Sequence, residues 1–191
     1  MSRIRRAIWR IGLHLLKVAL IPLENLNPRA YMKLYVPILS AYGLHLNGFP
    51  RYISLRARFD DFEHITLGER TVISKYVILL THDYSLTTAL IAIGEPPSTD
   101  IAIKREIKIG SNVFIGMNAV ILPGTQIGDD VIVGAGSVVR GIIPSDSIVV
   151  GNPAERVGSL RDHPERWRER REGSAALADW EFGLKHRVTE N

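Results

Sequence analysis

An aliphatic residue returns at every sixth position over residues 109–139. These positions are Ile109, Ile115, Ile121, Ile127, Val133 and Val139, and four of the six are followed by glycine. A six-residue unit is too short to bury its own apolar face, so successive units have to stack on one another. The repeat therefore predicts an all-β solenoid.

Each six-residue unit also has a second side chain that is predicted to face inward, and the repeat is interrupted once. The same spacing occurs upstream at Leu67, Ile73 and Leu79, and it is lost after Thr81 until Ile103. Three six-residue sides make a coil of about 18 residues, which predicts a parallel β-helix with residues 83–102 looping out as an insertion. A β-sandwich with chance periodicity is the alternative, and six units in phase disfavour it. The second inward positions are Ile65, Thr71, Val77, Val113, Ala119, Thr125, Val131, Ser137 and Ile143.

The segments on either side of the repeat are predicted to be helical. We expect an N-terminal helical segment at 1–50, the β-helix at 51–157, and a C-terminal helix and tail at 158–191. Residues 1–20 hold five basic residues and no acid, together with a broad apolar face. Such a helix packs on the solenoid end or on a neighbouring subunit, which we favour, or it lies at the acceptor site or on a membrane surface. It is too short for a transmembrane span.

Composition excludes several kinds of site. The chain has no cysteine, which rules out a disulfide scaffold, a thiolate zinc site and a cysteine nucleophile. The location expected by default is the cytoplasm, with the inner face of the membrane as the alternative. The net charge is +4, but the C-terminal run 161–172 mixes arginines with acids as solvated helices do, so no nucleic-acid partner is predicted.

His82 is the histidine whose position favours a chemical role. It follows the last in-phase unit, three residues after Leu79, and directly precedes the insertion. A side chain there would point from a rigid wall into a groove covered by the insertion. Imidazole can take up and release a proton near neutral pH, so His82 is a candidate general base. The histidines outside the repeat, to which we assign no role, are His14, His45, His163 and His186.

The repeat, together with its flanking motifs, resembles the hexapeptide-repeat acyltransferases. The resemblance covers about residues 60–157, and it is strongest to the sugar O-acetyltransferases of the galactoside, maltose, nodulation-factor and surface-polysaccharide type. It implies a left-handed parallel β-helix, a homotrimer with active sites between neighbouring subunits, acetyl-CoA as donor without a metal, and His82 as general base. The matching runs are 109–116, 123–128, 134–139 and 151–154.

This family implies transfer of an acetyl group to a hydroxyl of a saccharide. The chain has no cysteine and no serine flanked by nucleophile-elbow glycines, so direct attack of the hydroxyl on the thioester is the simplest mechanism. A backbone amide near Gly116 or Met117 of the next subunit would hold the developing oxyanion.

The resemblance also implies contacts with the donor. Small residues at Gly116, Ala135 and Gly136 would let the pantetheine arm lie against the backbone. Arg140 and Arg156 would meet the nucleotide phosphates, with an exposed surface role as the alternative for both.

The acceptor site is less clear from the sequence. Asp60 and Asp61 are the nearest carboxylates for binding a sugar, and Glu95 in the insertion, Asp83 or a carbonyl group could orient His82. His64 precedes His82 by 18 residues, so the two would stack at about 4.8 Å unless an intervening corner is longer. Stacked there, His64 would contact the acceptor or oppose protonation of His82.

Three other functions remain open. An N-acetyltransferase acting on an amino sugar needs the same base and groove, and it is the nearest alternative. A γ-type carbonic anhydrase needs three zinc ligands, whereas only His64 and His82 lie in the repeat. A non-enzymatic scaffold would tolerate the loss of His82.

Overall fold

The residues that recur at six-residue intervals form short parallel strands. A computed structural model describes residues 3–173, and side chains from residue 12 to residue 171. The helices are α1 (Arg3–Leu26), α2 (Pro28–Ala41), α3 (Ser85–Ala92) and α4 (Pro164–Gly173). The strands are β1 (His45–Asn47), β2 (Tyr52–Ile53), β3 (Arg58–Phe59), β4 (Ile65–Gly68), β5 (Val72–Ile73), β6 (Ile78–Leu79), β7 (His82–Asp83), β8 (Ile103–Lys104), β9 (Ile107–Ile109), β10 (Phe114–Ile115), β11 (Val120–Ile121), β12 (Gln126–Ile127), β13 (Val131–Val133), β14 (Val138–Val139), β15 (Ile142–Ile143), β16 (Ser147–Gly151) and β17 (Ala154–Gly158).

The chain passes through three sheets in a repeating order. Sheet A contains β1, β4, β9, β12 and β15, sheet B contains β2, β5, β10, β13, β16 and β17, and sheet C contains β3, β6, β11 and β14. Neighbouring strands pair in parallel, except that β17 folds back antiparallel on β16. The chain therefore winds as a three-sided parallel coil from β1 to β16.

The predicted inward positions form the interior of this coil. All six repeat positions from Ile109 to Val139 are buried, with at most 4% of their surface exposed. Leu67, Ile73 and Leu79 pair in register with the corresponding residues after the insertion, so the phase predicted upstream is confirmed. Each buried aliphatic side chain contributes about 1.5–3 kcal/mol, which makes the stacked column the main source of stability in this unit.

The coils differ in length at their corners. Phe59 pairs with Leu79, twenty residues later, because a 3-10 turn at Phe62–His64 lengthens the corner between sheets C and A. Val133 pairs with Val149, sixteen residues later, because only two residues separate β14 from β15. In this shortened coil Ile143 pairs with Ile127 and so occupies the first inward position. The uniform period had predicted the second inward position, which was wrong.

The insertion is more ordered than the expected loop. β7 and β8 pair antiparallel, with His82 opposite Lys104, and α3 lies between them. Ile103 therefore belongs to this two-stranded ribbon, and the coil resumes at β9, four residues later than the recovered phase suggested. The carboxylate of Asp83 accepts hydrogen bonds of 2.8 Å from the backbone N–H and the hydroxyl of Ser85 at the start of α3.

The terminal segments are helical, and the described residues divide into two compact units. One unit contains residues 3–35 and 165–173 of the described chain, and the other contains residues 36–164. The break between α1 and α2 follows from Asn27, whose side chain accepts a hydrogen bond from the N–H of Ala30, and from Pro28, which suits a first helical position. The coil begins with β1, before residue 51, and the predicted C-terminal tail after residue 173 lies outside the described residues.

Candidate active site

His82 lies where the chain leaves the coil. It is the first residue of β7, directly after the buried Thr81, at the corner between sheets C and A. The ribbon and α3 continue from it, so the side chain sits at the base of the insertion, as the break in phase predicted.

Two carboxylates from the preceding coil converge on the imidazole. The Asp60 Oδ2 atom lies 2.6 Å from Nδ1 of His82, and the Asp61 Oδ2 atom lies 3.8 Å from it. The Asp60 contact lacks the alignment of a ring N–H hydrogen bond, and it joins a carboxylate oxygen to a ring nitrogen at close range. The carboxylate itself is held by the backbone N–H and the hydroxyl of Thr81, at 3.3 and 3.4 Å.

The imidazole has one buried and one open side. Nδ1 has almost no solvent contact, whereas 34% of the side-chain surface is exposed. The exposure therefore falls on the remaining ring atoms, which include Nε2. The ring of Tyr84 meets the imidazole edge-on at 5.7 Å between centroids. This arrangement leaves Nε2 as the ring nitrogen that can meet a substrate.

The sequence did not single out three of the residues around His82. The hydroxyl of Thr81 also donates to Asp61 at 3.3 Å, and the ammonium group of Lys104 lies 3.5 Å from the same carboxylate oxygen. Tyr84 is the third. Lys104 could have been found only from the antiparallel pairing of β7 with β8, because it lies 22 positions after His82 in the sequence.

The structure corrects three expectations for the acceptor side. Since the coil is twenty residues long here, His64 lies in the 3-10 turn before β4 and does not stack on His82. Glu95 lies exposed in the turn after α3, where its N–H donates to the carbonyl of Leu90, and Asp60 takes the place beside the imidazole. The carboxylate of Asp83 accepts hydrogen bonds from Ser85 and not from His82. The backbone N–H of Ser85, and after it the hydroxyl, hold the pKa of this carboxyl below its usual range.

The small residues expected to meet the donor lie at the corner between sheets B and C. Met117 and Ala135 are exposed there, and the N–H of Gly136 donates to the carbonyl of Met117 at 2.8 Å. No atom lies within 4 Å of the position that a Cβ would take at Gly136, so this corner is open to solvent. At Gly136 there is room for a narrow extended chain such as pantetheine to lie against the backbone.

Gly116 has a different role from the one expected. Its N–H donates to the carbonyl of Val133 at 2.9 Å, so it is not available to hold an oxyanion. Gly116 is buried, and a Cβ there would lie 2.5 Å from the backbone nitrogen of Ala135. The glycine is therefore required by the close approach of two coils. The N–H of Met117 has no backbone acceptor among residues 3–173.

The two arginines are both exposed but differ in their surroundings. Arg140 lies at the two-residue corner before β15. Arg156 lies in β17, where its Nε donates to the hydroxyl of Ser147 at 3.1 Å and its Nη2 to the carbonyl of Asp146 at 3.4 Å. These two hydrogen bonds orient the Arg156 side chain, while the residue as a whole stays exposed.

Two negative findings apply to the described part of the chain. Residues 3–173 hold no group of three histidines and carboxylates that could bind a metal ion. No helix among them is long and apolar enough to cross a membrane. A groove of about 770 Å³ runs along the outer face of sheet A past Thr66, Lys108 and Gln126, but neither His82 nor Asp60 lines it.

Known proteins resemble this chain in sequence and in fold. Residues 106–141 match the family model described as bacterial transferase hexapeptide (six repeats). A protein of Escherichia coli, provisionally assigned as a lipopolysaccharide biosynthesis O-acetyl transferase, is 31% identical over 67% of this chain and 71% of its own length. The galactoside O-acetyltransferase of Escherichia coli is 30% identical over 69% of this chain and 62% of its own length.

A solved structure supports the same assignment at the level of the fold. The hexapeptide-repeat acetyltransferase of Vibrio cholerae, in complex with acetyl-CoA, is 22% identical, with a TM-score of 0.56 over 84% of this chain and 92% of that one. The family resemblance predicted from the motifs is confirmed. The chain therefore belongs to the hexapeptide-repeat acetyltransferases and is an enzyme of the acyltransferase class.

Proposed function

We propose that the protein transfers an acetyl group from acetyl-CoA to a hydroxyl of a saccharide, with His82 as general base. The observation that carries the proposal is the imidazole whose Nδ1 lies 2.6 Å from Asp60, while the rest of the ring is open at the base of the insertion. The two Escherichia coli relatives, both named O-acetyltransferases, support hydroxyl transfer.

The reaction moves one proton from the acceptor hydroxyl to the leaving sulfur of CoA, and it does so in two transfers. Nε2 of His82 takes the hydroxyl proton as the acceptor oxygen attacks the thioester carbonyl, and the ring becomes an imidazolium. Asp60 lies against Nδ1, so it stabilises that positive charge as it develops and holds the ring in place. The C–S bond of the tetrahedral intermediate then breaks, and the sulfur of CoA takes up the proton from Nε2, so CoA leaves as the thiol and the imidazole is neutral again. No covalent acyl-enzyme is required. Asp60 is thus a positioning residue, and the sugar-binding role expected of Asp60 and Asp61 becomes secondary.

We infer that the coil is left-handed and that three copies assemble with the active sites between them. In this assembly the corner between sheets B and C of one copy, with Met117, Ala135 and Gly136, faces His82 of the next. The N–H of Met117 would hold the developing oxyanion, and the open corner would carry the pantetheine arm. Arg140 and Arg156 would meet the nucleotide phosphates.

The outer face of sheet C supports this packing. Ile78, Val120 and Val138 stand side by side in register on that face, each opposite an inward neighbour in its strand. Sheet C lies between the two corners that would meet in the active site. Close packing of three such faces would remove an apolar ladder from water, which favours a trimer over a free monomer.

We propose that the N-terminal helix contacts a neighbouring subunit or a membrane surface. Leu15, Val18 and Leu26 are exposed on α1, which suits contact with a neighbouring subunit or a membrane surface. Contact of α1 with a membrane would bring the enzyme to a lipid-linked acceptor at the inner membrane face. If α1 contacts a neighbouring subunit instead, the enzyme works in the cytoplasm.

The test is acetyl transfer with and without the base. Purified protein with acetyl-CoA and a panel of saccharides should release free CoA. His82→Ala should lower kcat by about 10²–10⁴-fold, because a positioned base contributes that much to such a reaction. The melting temperature and the oligomeric state should stay as in the wild type.

The matched control is His14→Ala, which removes an exposed histidine on α1 and should keep full activity. Equal kcat for His82→Ala and the wild type would reject the mechanism. Turnover with amino sugars alone, and not with their hydroxyl counterparts, would establish the N-acetyltransferase in its place.

A further inference from the structure

Tyr76 is an unusual residue at the corner between sheets B and C. Its φ is +63°, in the left-handed region that bulky side chains rarely adopt. The residues one and two coils further along the same corner are Asn118 and Gly136, whose types tolerate this region. The alignment follows from the register of β5 with β10 and of β6 with β11, and from the hydrogen bond between the N–H of Asn118 and the carbonyl of Lys75. Packing of the coil therefore gives no reason for a tyrosine here.

The Tyr76 side chain is exposed and accompanied by cations. About half of its surface (48%) is open, and the guanidinium of Arg56, from the preceding coil, lies 5.8 Å from the ring centroid. Lys75 is its exposed neighbour. Within the described residues neither Arg56 nor Lys75 forms an ion pair with a carboxylate. An aromatic ring with two unpaired cations is suited to a ligand with a flat apolar face and a negative charge.

The corner bearing Tyr76 continues the one that carries Met117 and Ala135. Tyr76 lies in the coil that ends at His82, one coil before Met117, and Arg56 lies one coil earlier still. If Met117 of one copy faces the reacting carbonyl at His82 of the next, Tyr76 of the same copy lies on the N-terminal side of that point. The acceptor has to approach from this side, because the donor extends past Met117 toward Ala135 and Gly136.

We infer that Tyr76 and Arg56 bind the acceptor for the active site of the neighbouring subunit, and that this acceptor is an anionic saccharide. A sugar ring stacks on Tyr76, and Arg56 with Lys75 holds a carboxylate or phosphate of the same chain. The inference rests on the proposed acetyl transfer between subunits. It adds that the acceptor is negatively charged, and it names the residues that bind that charge.

Tyr76→Asn tests the stacking role. Asparagine is the residue at the equivalent corner of the next coil, so the backbone should keep its shape and the melting temperature should not fall. We expect the KM for the acceptor to rise by about tenfold or more, with the KM for acetyl-CoA and kcat nearly unchanged. Tyr76→Phe keeps the ring, so it should raise the acceptor KM less than Tyr76→Asn does. An unchanged acceptor KM in Tyr76→Asn would refute the inference.

Arg56→Gln tests the charge. Oligogalacturonate and its methyl ester share one backbone and differ in their carboxylates, so both serve as competitors of the best acceptor in a panel of neutral and anionic saccharides. Oligogalacturonate should inhibit more strongly than the ester, and Arg56→Gln should remove the difference. Equal inhibition in the wild type, or a weakened trimer with unchanged inhibition, would contradict the inference.

Mixed trimers test whether the site is shared. A subunit with His82→Ala still carries Tyr76, and a subunit with Tyr76→Asn still carries His82. Mixing the two should restore some sites with wild-type acceptor KM, because one subunit supplies the histidine and its neighbour the tyrosine. If no site is restored, then either both residues serve the site of one subunit or Tyr76 serves no site. Either result would refute the inference. Absence of acetyl transfer in the wild type with every acceptor would instead reject the proposed function.

Discussion

Replacing Asp60 by asparagine is the sharpest test of how the carboxylate acts on His82. The substitution removes one negative charge and keeps the size of the side chain. The asparagine oxygen can still accept the hydrogen bonds that Thr81 donates to Asp60. The change therefore isolates the electrostatic part of the contact.

The magnitude follows from the 2.6 Å between Oδ2 of Asp60 and Nδ1 of His82. Two unit charges at that distance interact by about 1.6 kcal/mol in fully screened surroundings and by about 6 kcal/mol at an effective dielectric constant of about 20. The side chains are 25% and 34% exposed, which places the pair nearer the screened value. We expect a loss of about 1.5–3 kcal/mol from the transition state, or roughly 10- to 150-fold in kcat.

Asp61→Asn is the matched control. Its carboxylate lies 3.8 Å from Nδ1, and Lys104 offsets part of its charge from 3.5 Å away. The screened interaction is about 1 kcal/mol before that offset, so kcat should fall less than about fivefold. Steady-state kinetics with saturating acetyl-CoA, together with melting curves, measures both variants.

The two variants should differ in kcat and not in stability. A role for Asp60 in binding sugar alone would raise the acceptor KM and leave kcat unchanged. That outcome, or a larger loss in kcat for Asp61→Asn than for Asp60→Asn, would refute the reasoning from distance.

Two further predictions concern stability. Gly116→Ala should destabilise the fold by about 1–3 kcal/mol, because the new Cβ would lie 2.5 Å from the backbone of Ala135. Gly136→Ala should cost less, because Gly136, at φ +70°, has open space around it. A lower melting temperature for Gly136→Ala than for Gly116→Ala would contradict this. The pKa of Asp146 is lowered, chiefly by the hydroxyl of Ser159, so its contribution should be complete above the unfolded value of 3.8 and disappear as the pH falls through the lower folded value. Asp146→Asn should therefore be less stable than the wild type at neutral pH but not in strong acid. Denaturant unfolding at several pH values measures this, and a difference in the free energy of unfolding that does not change with pH would contradict it.

The sequence predicted the coil and the place of the histidine but not the partner of the histidine. Inward aliphatic residues have to recur along each strand, because a missing one would leave a void in a narrow interior, so the period is visible in the sequence. The break in that period predicted that His82 lies at the base of the insertion, and the structure places it there. The same period placed His64 beside it, which was wrong.

The tertiary structure decided the lengths of the corners, and these determine which side chains lie beside His82. Corners point outward, so a 3-10 turn at 62–64 or a two-residue turn after β14 changes the length of a coil without disturbing the aliphatic spacing on the strands. Asp60 and not His64 meets His82 because of two extra residues in one corner. The sequence by itself thus determined the stacked interior, since burial of apolar side chains imposes a period, whereas outward side chains follow no period and meet only in the folded coil.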